Sequence, residues 1–290
     1  MKIGNTHTFL TLAGLTMACS ASLHGAALIY EPFAGAPGGL SGQAPGAGLT
    51  GNWGSNGMNV VSGSLSYGNL ETSGNRAGAP ASNFSRGNTD PGTTLTGAGL
   101  LADGAELWFS ALAVSYDPQP GDNGTSRTYI AFGNGTADGF DRVGDHSSGR
   151  GFEIKLNDGF VQAFGWRGPG TIGGAGVPIT DGTHLVVGKI TWGEFGVVDD
   201  TLELFLPDTD LNMGSAVSTT SHDFDQLGTV DPDDAFDVIS FAGGHRDNAV
   251  PEVDEIRFGA TYADVTPAVP EPSSMALLAL GGLVLLRRCR

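Results

Sequence analysis

The chain has 290 residues, a formal net charge of −17, 47 glycines and 40% hydrophobic residues. The strong negative charge argues against nucleic acid as a partner, because an acidic surface repels phosphate backbones. The hydrophobic content argues against a glycine-rich disordered chain, which lacks the apolar residues that form a core. These residues come in short runs between Gly, Asn, Asp and Pro, a pattern that predicts many short strands joined by tight turns.

Residues 1–26 have the three parts of a secretory signal peptide. Lys2 lies in the polar start, residues 9–18 form the apolar stretch, and small residues follow. We therefore expect export through the Sec translocon, with signal peptidase cutting after Ala26 or Ala27.

The two cysteines, Cys19 and Cys289, lie in the two terminal segments. The region between these segments therefore can hold no disulfide. Cys19 fits a lipoprotein signal poorly, because Thr16 occupies the position where such signals carry leucine or a similar residue.

Residues 27–268 are predicted to form a β-rich domain. A short strand over residues 28–30 opens it. Residues 34–57 and 73–99 are dense in Gly, Ser, Asn, Ala and Pro, and we expect both to be long loops within the domain.

Strand signals are clear from residue 106 onward. Residues 151–166 are the best hairpin, because apolar and polar residues alternate on both sides of the turn Asn157-Asp158-Gly159. Residues 184–192 and 201–206 form a second hairpin-like pair. The other predicted strands cover residues 107–116, 127–132, 236–242 and 253–258.

Antiparallel strands at this spacing predict two packed sheets. The segments 253–259, 184–190 and 201–205 resemble strands of concanavalin A-like jelly rolls, including laminin G-like domains. The resemblance implies an all-β, two-sheet antiparallel jelly-roll sandwich over residues 28–266. That fold carries glycoside hydrolases, lectins and adhesion modules, so it does not determine the function.

Paired carboxyl groups are the catalytic pattern that glycosidases of this fold would require. Retaining glycosidases need two carboxyl groups about 5 Å apart across the sugar bond. In the nearest candidate segment, Glu252-Val253-Asp254-Glu255, the second glutamate of the pattern would fall at Arg257. We therefore assign no catalytic residue, predict that the protein is not an enzyme, and expect Asp254 and Glu255 to accept hydrogen bonds from backbone N–H groups or Arg257.

Acidic loops are the remaining candidates for a metal site. Asp208 and Asp210 stand close together in an oxygen-rich loop, and calcium takes several oxygen ligands. The loop does not match an EF-hand, and exposed acidic turns are ordinary in an acidic protein. We expect no cofactor, with calcium at Asp208 and Asp210 as the alternative.

Exposed aromatic rings beside polar side chains are candidates for stacking on sugars. Trp53, Trp166 and Trp192 are the candidates in this chain. Aromatic residues on strand patterns usually belong to the core. Trp166 and Trp192 lie at predicted strand ends, which favours a position at the rim of the domain.

The C-terminal residues 269–290 resemble the PEP-CTERM sorting signal of Gram-negative bacteria. A Pro-Glu-Pro motif precedes an apolar stretch, residues 275–286, and a basic end, residues 287–290. The resemblance implies recognition and removal of the tail by an exosortase, a membrane-embedded cysteine protease. The sorting-signal residues are Pro270, Glu271, Pro272, Arg287, Arg288 and Arg290.

The physical properties of the tail agree with temporary anchoring. The apolar stretch is shorter than the ~20 residues that a stable membrane helix needs. Arginines after it hold that end in the cytoplasm, which leaves the domain on the far side of the inner membrane. We expect a short transmembrane helix that anchors the protein transiently before it reaches the cell surface or the extracellular matrix.

The sequence therefore favours an exported, non-enzymatic surface or matrix protein, sorted by exosortase, that binds or forms part of extracellular polysaccharide. Two alternatives remain open: an extracellular polysaccharide hydrolase on the same fold, and a self-assembling structural coat protein.

Overall fold

The structure is a computed structural model that describes residues 26–78, 85–91, 93–115, 127–134, 150–167, 170–194, 197–222, 236, 238–244 and 251–269. The predicted signal peptide as far as residue 25 lies outside these residues, as does the tail from residue 270. Both cysteines and the predicted helix 275–286 therefore lie outside the described part of the chain.

Short strands account for most of the regular structure. They are β1 (Ile29–Glu31), β2 (Gly38–Gly39), β3 (Thr50–Asn56), β4 (Asn59–Val61), β5 (Arg76–Gly78), β6 (Ser85–Asp90), β7 (Glu106–Ser115), β8 (Arg127–Asn134), β9 (Arg150–Asn157), β10 (Phe160–Arg167), β11 (Gly170–Gly173), β12 (Val177–Pro178), β13 (Gly182–Thr191), β14 (Asp200–Phe205), β15 (Ser218–His222), β16 (Val238–Gly244) and β17 (Glu252–Gly259). Two single-turn helices, α1 (Thr94–Gly97) and α2 (Tyr262–Val265), also lie in the described residues.

The strands form two antiparallel sheets. Among the described residues, the first sheet has the order β15-β14-β13-β7-β17-β5-β4-β2, with β1 also paired to β17. The second has the order β11-β10-β9-β8-β16-β6-β3, with β12 also paired to β10. The predicted all-β, two-sheet jelly-roll sandwich is confirmed.

The two predicted hairpin pairs are confirmed, the first of them with its turn. β9 and β10 pair through Asn157 and Phe160, which leaves Asp158 and Gly159 as a two-residue loop. Both loop residues have positive φ, 50° and 77°, as the tight hairpin turn requires. β13 and β14 form the second pair.

The prediction of long loops at 34–57 and 73–99 was wrong. These segments contain β2, β3, β5, β6 and α1. These strands contain glycine, which gives no strand signal in the sequence. Close packing requires glycine at such positions. At Gly87 in β6, a Cβ would lie 2.8 Å from Leu40 and 2.9 Å from Phe241.

The core between the sheets is built around phenylalanine rings. Phe258 of β17 lies 5.2 Å from Phe132 of β8 and 5.8 Å from Phe109 of β7, measured between ring centroids. Phe236 stacks on Phe132 at 6.4 Å and meets Phe258 edge-on, also at 6.4 Å. Because these rings come from both sheets, the cluster holds the sandwich together.

We predict that Phe258→Ala lowers the free energy of unfolding by about 3–5 kcal/mol, the usual cost of truncating a buried phenylalanine. Phe258 is fully buried, whereas Phe160 is 48% exposed, so Phe160→Ala is the matched control. Urea unfolding measures both variants. Equal losses in the two variants would show that the ring cluster does not hold the sheets together.

Candidate ligand-binding face

The outer surface of the β9–β10 hairpin carries polar and aromatic side chains together. In β9, Phe152 and Ile154 belong to the core, so Glu153 and Lys155 point to the other face. In β10, Val161 and Ala163 belong to the core. Alternation therefore places Phe160, Gln162 and Phe164 on the same outer face as Glu153 and Lys155.

The hairpin register brings these side chains next to one another. Gln162 pairs with Lys155, and Phe164 pairs with Glu153. On the neighbouring strand β8, Tyr129 pairs with Lys155. We call Tyr129, Glu153, Lys155, Phe160, Gln162 and Phe164 the outer-face cluster.

Lys155 is the centre of the outer-face cluster. Its Nζ lies 3.5 Å from the centroid of the Phe164 ring and 5.8 Å from that of Tyr129. These are cation–π distances. The same Nζ lies 3.3 Å from Oε1 of Glu153.

Glu153 is the most perturbed group of the outer-face cluster. Only 1% of the residue is exposed, and this burial raises the pKa of its carboxyl to about 7, although the charge of Lys155 acts in the opposite direction. A carboxyl with a pKa in this range can exchange a proton near neutral pH.

The part of the outer-face cluster that a ligand can contact lies along β10. Phe160 is 48% exposed, and Gln162 and Phe164 are half-buried. Alternate residues of a strand are about 7 Å apart, so two rings and one amide follow one line. Gln162 Nε2 donates to the carbonyl of Gly174 at 2.5 Å, which fixes its amide. Rings with a few fixed polar groups are the usual composition of a ligand site.

Trp166, a predicted stacking residue, lies in β10 opposite Gly151. Its strand position has the same parity as Phe160, Gln162 and Phe164. Its side chain lies outside the described part of the structure, so its stacking role stays a prediction.

The prediction that Trp53 and Trp192 are exposed stacking residues was wrong. Trp53 is 2% exposed and donates from Nε1 to Glu31 at 3.0 Å. Trp192 is 5% exposed and donates from Nε1 to the carbonyl of Leu100 at 2.6 Å. Both indoles fill the core and satisfy their N–H groups there, so neither offers an open face.

The carboxyl groups of β17 have structural partners, as predicted. Asp254 accepts from the hydroxyl of Ser64 at 2.6 Å and from the backbone N–H of Leu65 at 2.7 Å. Glu255 accepts from the backbone N–H of Ser73 at 2.6 Å and from Arg257. Burial raises the pKa of Asp254 to about 8. These groups tie the segment 62–75 to the last strand.

Glu255 sits at an irregularity of β17. The register against β7 shifts between Asp254 and Arg257, and Glu255 has φ of 54°. This bulge turns successive side chains toward the same buried region, which alternation alone would not do. Arg257 also donates to the carbonyl of Glu71 at 2.6 Å and lies 4.7 Å from the Tyr30 ring centroid.

Asp208 and Asp210, the predicted calcium candidates, lie in an exposed turn. Asp208 Oδ1 accepts from the backbone N–H groups of Asp210 and Asn212, both at 2.9 Å. Its side-chain and backbone bonds with Asn212 lower the pKa of Asp208. Within the described residues there is no group of three His, Cys, Asp or Glu side chains that could hold a metal ion. The oxygens of Asp208 thus cap the turn, and calcium at this loop stays a prediction.

The outer-face cluster was not predicted from the sequence, although the hairpin pattern contains the information that places its residues together. A two-residue hairpin loop fixes the register, and this register places Gln162 beside Lys155 and Phe164 beside Glu153. The apolar residues of β9 occupy one face of the hairpin, so the polar and aromatic residues between them share the other face.

Comparison with known protein families finds a match for the C-terminal segment of the chain. Residues 268–290 match the PEP-CTERM protein-sorting motif. The chain therefore carries the sorting signal of exported proteins that an exosortase processes. None of the helices in the described ranges is long and apolar enough to cross a membrane. No curated protein sequence matches the chain.

Several solved structures have a similar fold. An endo-β-1,4-glucuronan lyase from the fungus Trichoderma reesei is 13% identical, with a TM-score of 0.44, over 83% of this chain and 98% of that chain. A carbohydrate esterase from the Shiga toxin-encoding bacteriophage phi24B is 12% identical, with a TM-score of 0.44, over 80% and 97%. An alginate lyase from Aplysia kurodai is 8% identical, with a TM-score of 0.40, over 68% and 87%. These likenesses say nothing about the activity of this chain.

We predict that Glu153 makes the protein less stable as the pH rises. Its carboxyl binds a proton more tightly in the folded state than in the unfolded state, since the pKa is raised from 4.5 to about 7. The stability it contributes is fully present below about pH 4 and is lost as the pH passes 7, a change of about 3 kcal/mol.

The measurement is urea unfolding from pH 4 to pH 8 for the wild type and for Glu153→Gln. The variant should lose this part of the pH dependence, while the part due to Asp254 remains in both proteins. Glu106→Gln is the control, because the side chain of Glu106 is 50% exposed. Identical pH profiles for Glu153→Gln and the wild type would contradict the raised pKa.

Proposed function

We propose that this is an exported, non-enzymatic protein of the cell surface or extracellular matrix that binds extracellular polysaccharide through the outer-face cluster. The PEP-CTERM motif at residues 268–290 is the observation that carries the proposal, because it makes the protein an exosortase substrate. The Sec translocon and signal peptidase would act first, on the N-terminal segment.

The chemistry of the tail supports transient anchoring in the inner membrane. Its apolar stretch, residues 275–286, is short for a permanent span, and Arg287, Arg288 and Arg290 stay on the cytoplasmic side. Pro270 and Pro272 favour an extended backbone just before the stretch, and an extended backbone is accessible to a protease.

The outer-face cluster supports polysaccharide as the ligand. Phe160 and the half-buried Phe164 offer apolar ring surface in line, and Gln162 offers an amide. Lys155 offers an ammonium group on a side chain that is 18% exposed. A sugar ring has an apolar face and a hydroxyl-rich edge. This arrangement of rings beside polar donors is complementary to both.

The partners of the β17 carboxyl groups support a role without catalysis. Asp254 and Glu255 are fully buried and hold backbone N–H groups and Arg257. Carboxyl groups occupied in this way stabilise the fold, and removing one would leave a buried polar group without its partner.

We predict that Lys155→Ala and Phe160→Ala each weaken binding to polysaccharide about tenfold, the effect of ~1.4 kcal/mol. Lys189→Ala is the matched control on the other sheet. Lys189 lies 2.7 Å from Glu203 and 5.8 Å from the Trp108 ring centroid, and its side chain is 20% exposed against 18% for Lys155.

The measurement is binding of the purified exported protein to a panel of neutral and uronate-rich polysaccharides, with and without calcium. Loss of affinity in the two outer-face variants and not in Lys189→Ala supports the proposal. Silence of the wild type across the panel, or equal loss in all three variants, contradicts it.

An extracellular polysaccharide-cleaving enzyme is the second candidate, and one observation favours it. Glu153 has a pKa of about 7 beside the exposed rings, which suits a general acid or base. The enzyme alternative predicts that the wild type releases sugar fragments from a bound polymer and that Glu153→Gln binds but does not cleave. The proposed binding role predicts no release from either protein.

A further inference from the structure

Both ends of the described domain meet at one cleft. Its volume is about 420 Å³, and its walls include Ala26, Ala27, Glu71 and Pro267. Ala26 and Ala27 stand where signal peptidase is predicted to cut, and Pro267 stands just before the sorting motif. We call this surface the end cleft.

The chain is fastened immediately beside the sorting motif. The backbone N–H of Glu71 donates to the carbonyl of Pro267 at 2.8 Å, and the N–H of Val269 donates to the carbonyl of Asn69 at 2.9 Å. Leu70 and Ala268 form an antiparallel bridge between these two bonds. We call this arrangement the C-terminal clamp.

The C-terminal clamp rests on packed parts of the fold. Leu70 is 4% exposed, and Ala268 packs against the same apolar cluster as Leu70 and Val265. Tyr67 and Tyr262 pack against this same cluster. The hydroxyl of Tyr67 donates to the carbonyl of Pro207 at 2.5 Å, and the hydroxyl of Tyr262 donates to the carbonyl of Leu211 at 2.7 Å. Opening the clamp therefore disturbs buried contacts as well as two backbone bonds.

The clamp overlaps the motif. The sorting motif begins at residue 268, yet residues 268 and 269 are bonded into the fold. A protease cuts a segment that is free of the folded domain, either because it is exposed or because the structure opens locally. Residues 267–269 are bonded to the folded domain, so a protease can cut among them only when the clamp opens.

We propose that exosortase meets the protein at the end cleft and cuts on the C-terminal side of Val269, so that the clamp remains in the mature protein and limits the rate of cutting. This inference rests on the proposed sorting by exosortase and assigns the boundary of the product. With both ends leaving from the end cleft, this face lies toward the membrane while either end is attached.

The test follows tail removal from the full-length chain in a Gram-negative host that carries an exosortase. Pulse–chase measures the rate, and the intact mass of the mature protein gives its C-terminal residue. The wild-type product should retain Val269. Glu71→Pro removes one N–H donor of the clamp without changing the tail, and Glu71→Ala keeps that donor.

We expect Glu71→Pro to lose its tail about tenfold faster than Glu71→Ala, the factor that corresponds to one backbone hydrogen bond. Thermal unfolding checks that both variants fold. A Gly-Ser-Gly-Ser spacer between Val269 and Pro270 should also speed removal, since it supplies a free segment and leaves the clamp closed. The same spacer after Asp181, in an exposed turn, should change nothing.

The outcomes separate the two proposals. A mature protein that ends before Val269, or equal rates in the clamp and spacer variants and their controls, overturns the inference while leaving exosortase sorting in place. A tail that stays on every variant overturns the proposed sorting and this inference with it.

Discussion

The antiparallel pairing of the first strand with the last, β1 with β17, is the constraint on which the rest of the structure depends. It places Tyr30 opposite Arg257 and brings the beginning and the end of the domain to one side. The buried groups Asp254, Glu255 and Arg257 then fasten the segment 62–75 across that side. Because a buried charge without its partner is costly, this network closes the domain only when all three elements are in place.

The two sheets separate two tasks. The first sheet holds β1 and β17, and with them the end cleft and the C-terminal clamp, while the second sheet carries the outer-face cluster on β9 and β10. Processing at the membrane and contact with a polymer would therefore use different surfaces of the molecule. A substitution at Lys155 reaches one surface, and a substitution at Glu71 reaches the other.

Much of the fold was predictable, because alternation and tight turns are local signals. The hairpin around Asp158 and Gly159 follows from neighbouring residues. The structural role of Asp254 was predictable because Arg257 stands where the catalytic pattern needs a second glutamate, although its partners Ser64 and Leu65 are far away in sequence. The strands within 34–57 and 73–99 were not predictable, since residues such as Gly87 are selected by contact with Leu40 and Phe241, far away in sequence. Burial of Trp53 and Trp192 has the same cause: their N–H partners, Glu31 and Leu100, come from distant segments. The bulge at Glu255 is likewise a property of the paired strands.

Sorting through the tail is the central claim, and removal of the tail tests it most directly. The measurement compares the wild type with a chain that ends at Val269, by quantitative mass spectrometry of cytosol, inner membrane, cell surface and medium. The account predicts that the wild type passes through the inner membrane and accumulates, without Arg290, at the surface or in the matrix, and that the shortened chain loses this distribution. Wild-type protein that keeps Arg290 and remains in the cytosol, or an identical distribution of the two chains, would contradict it.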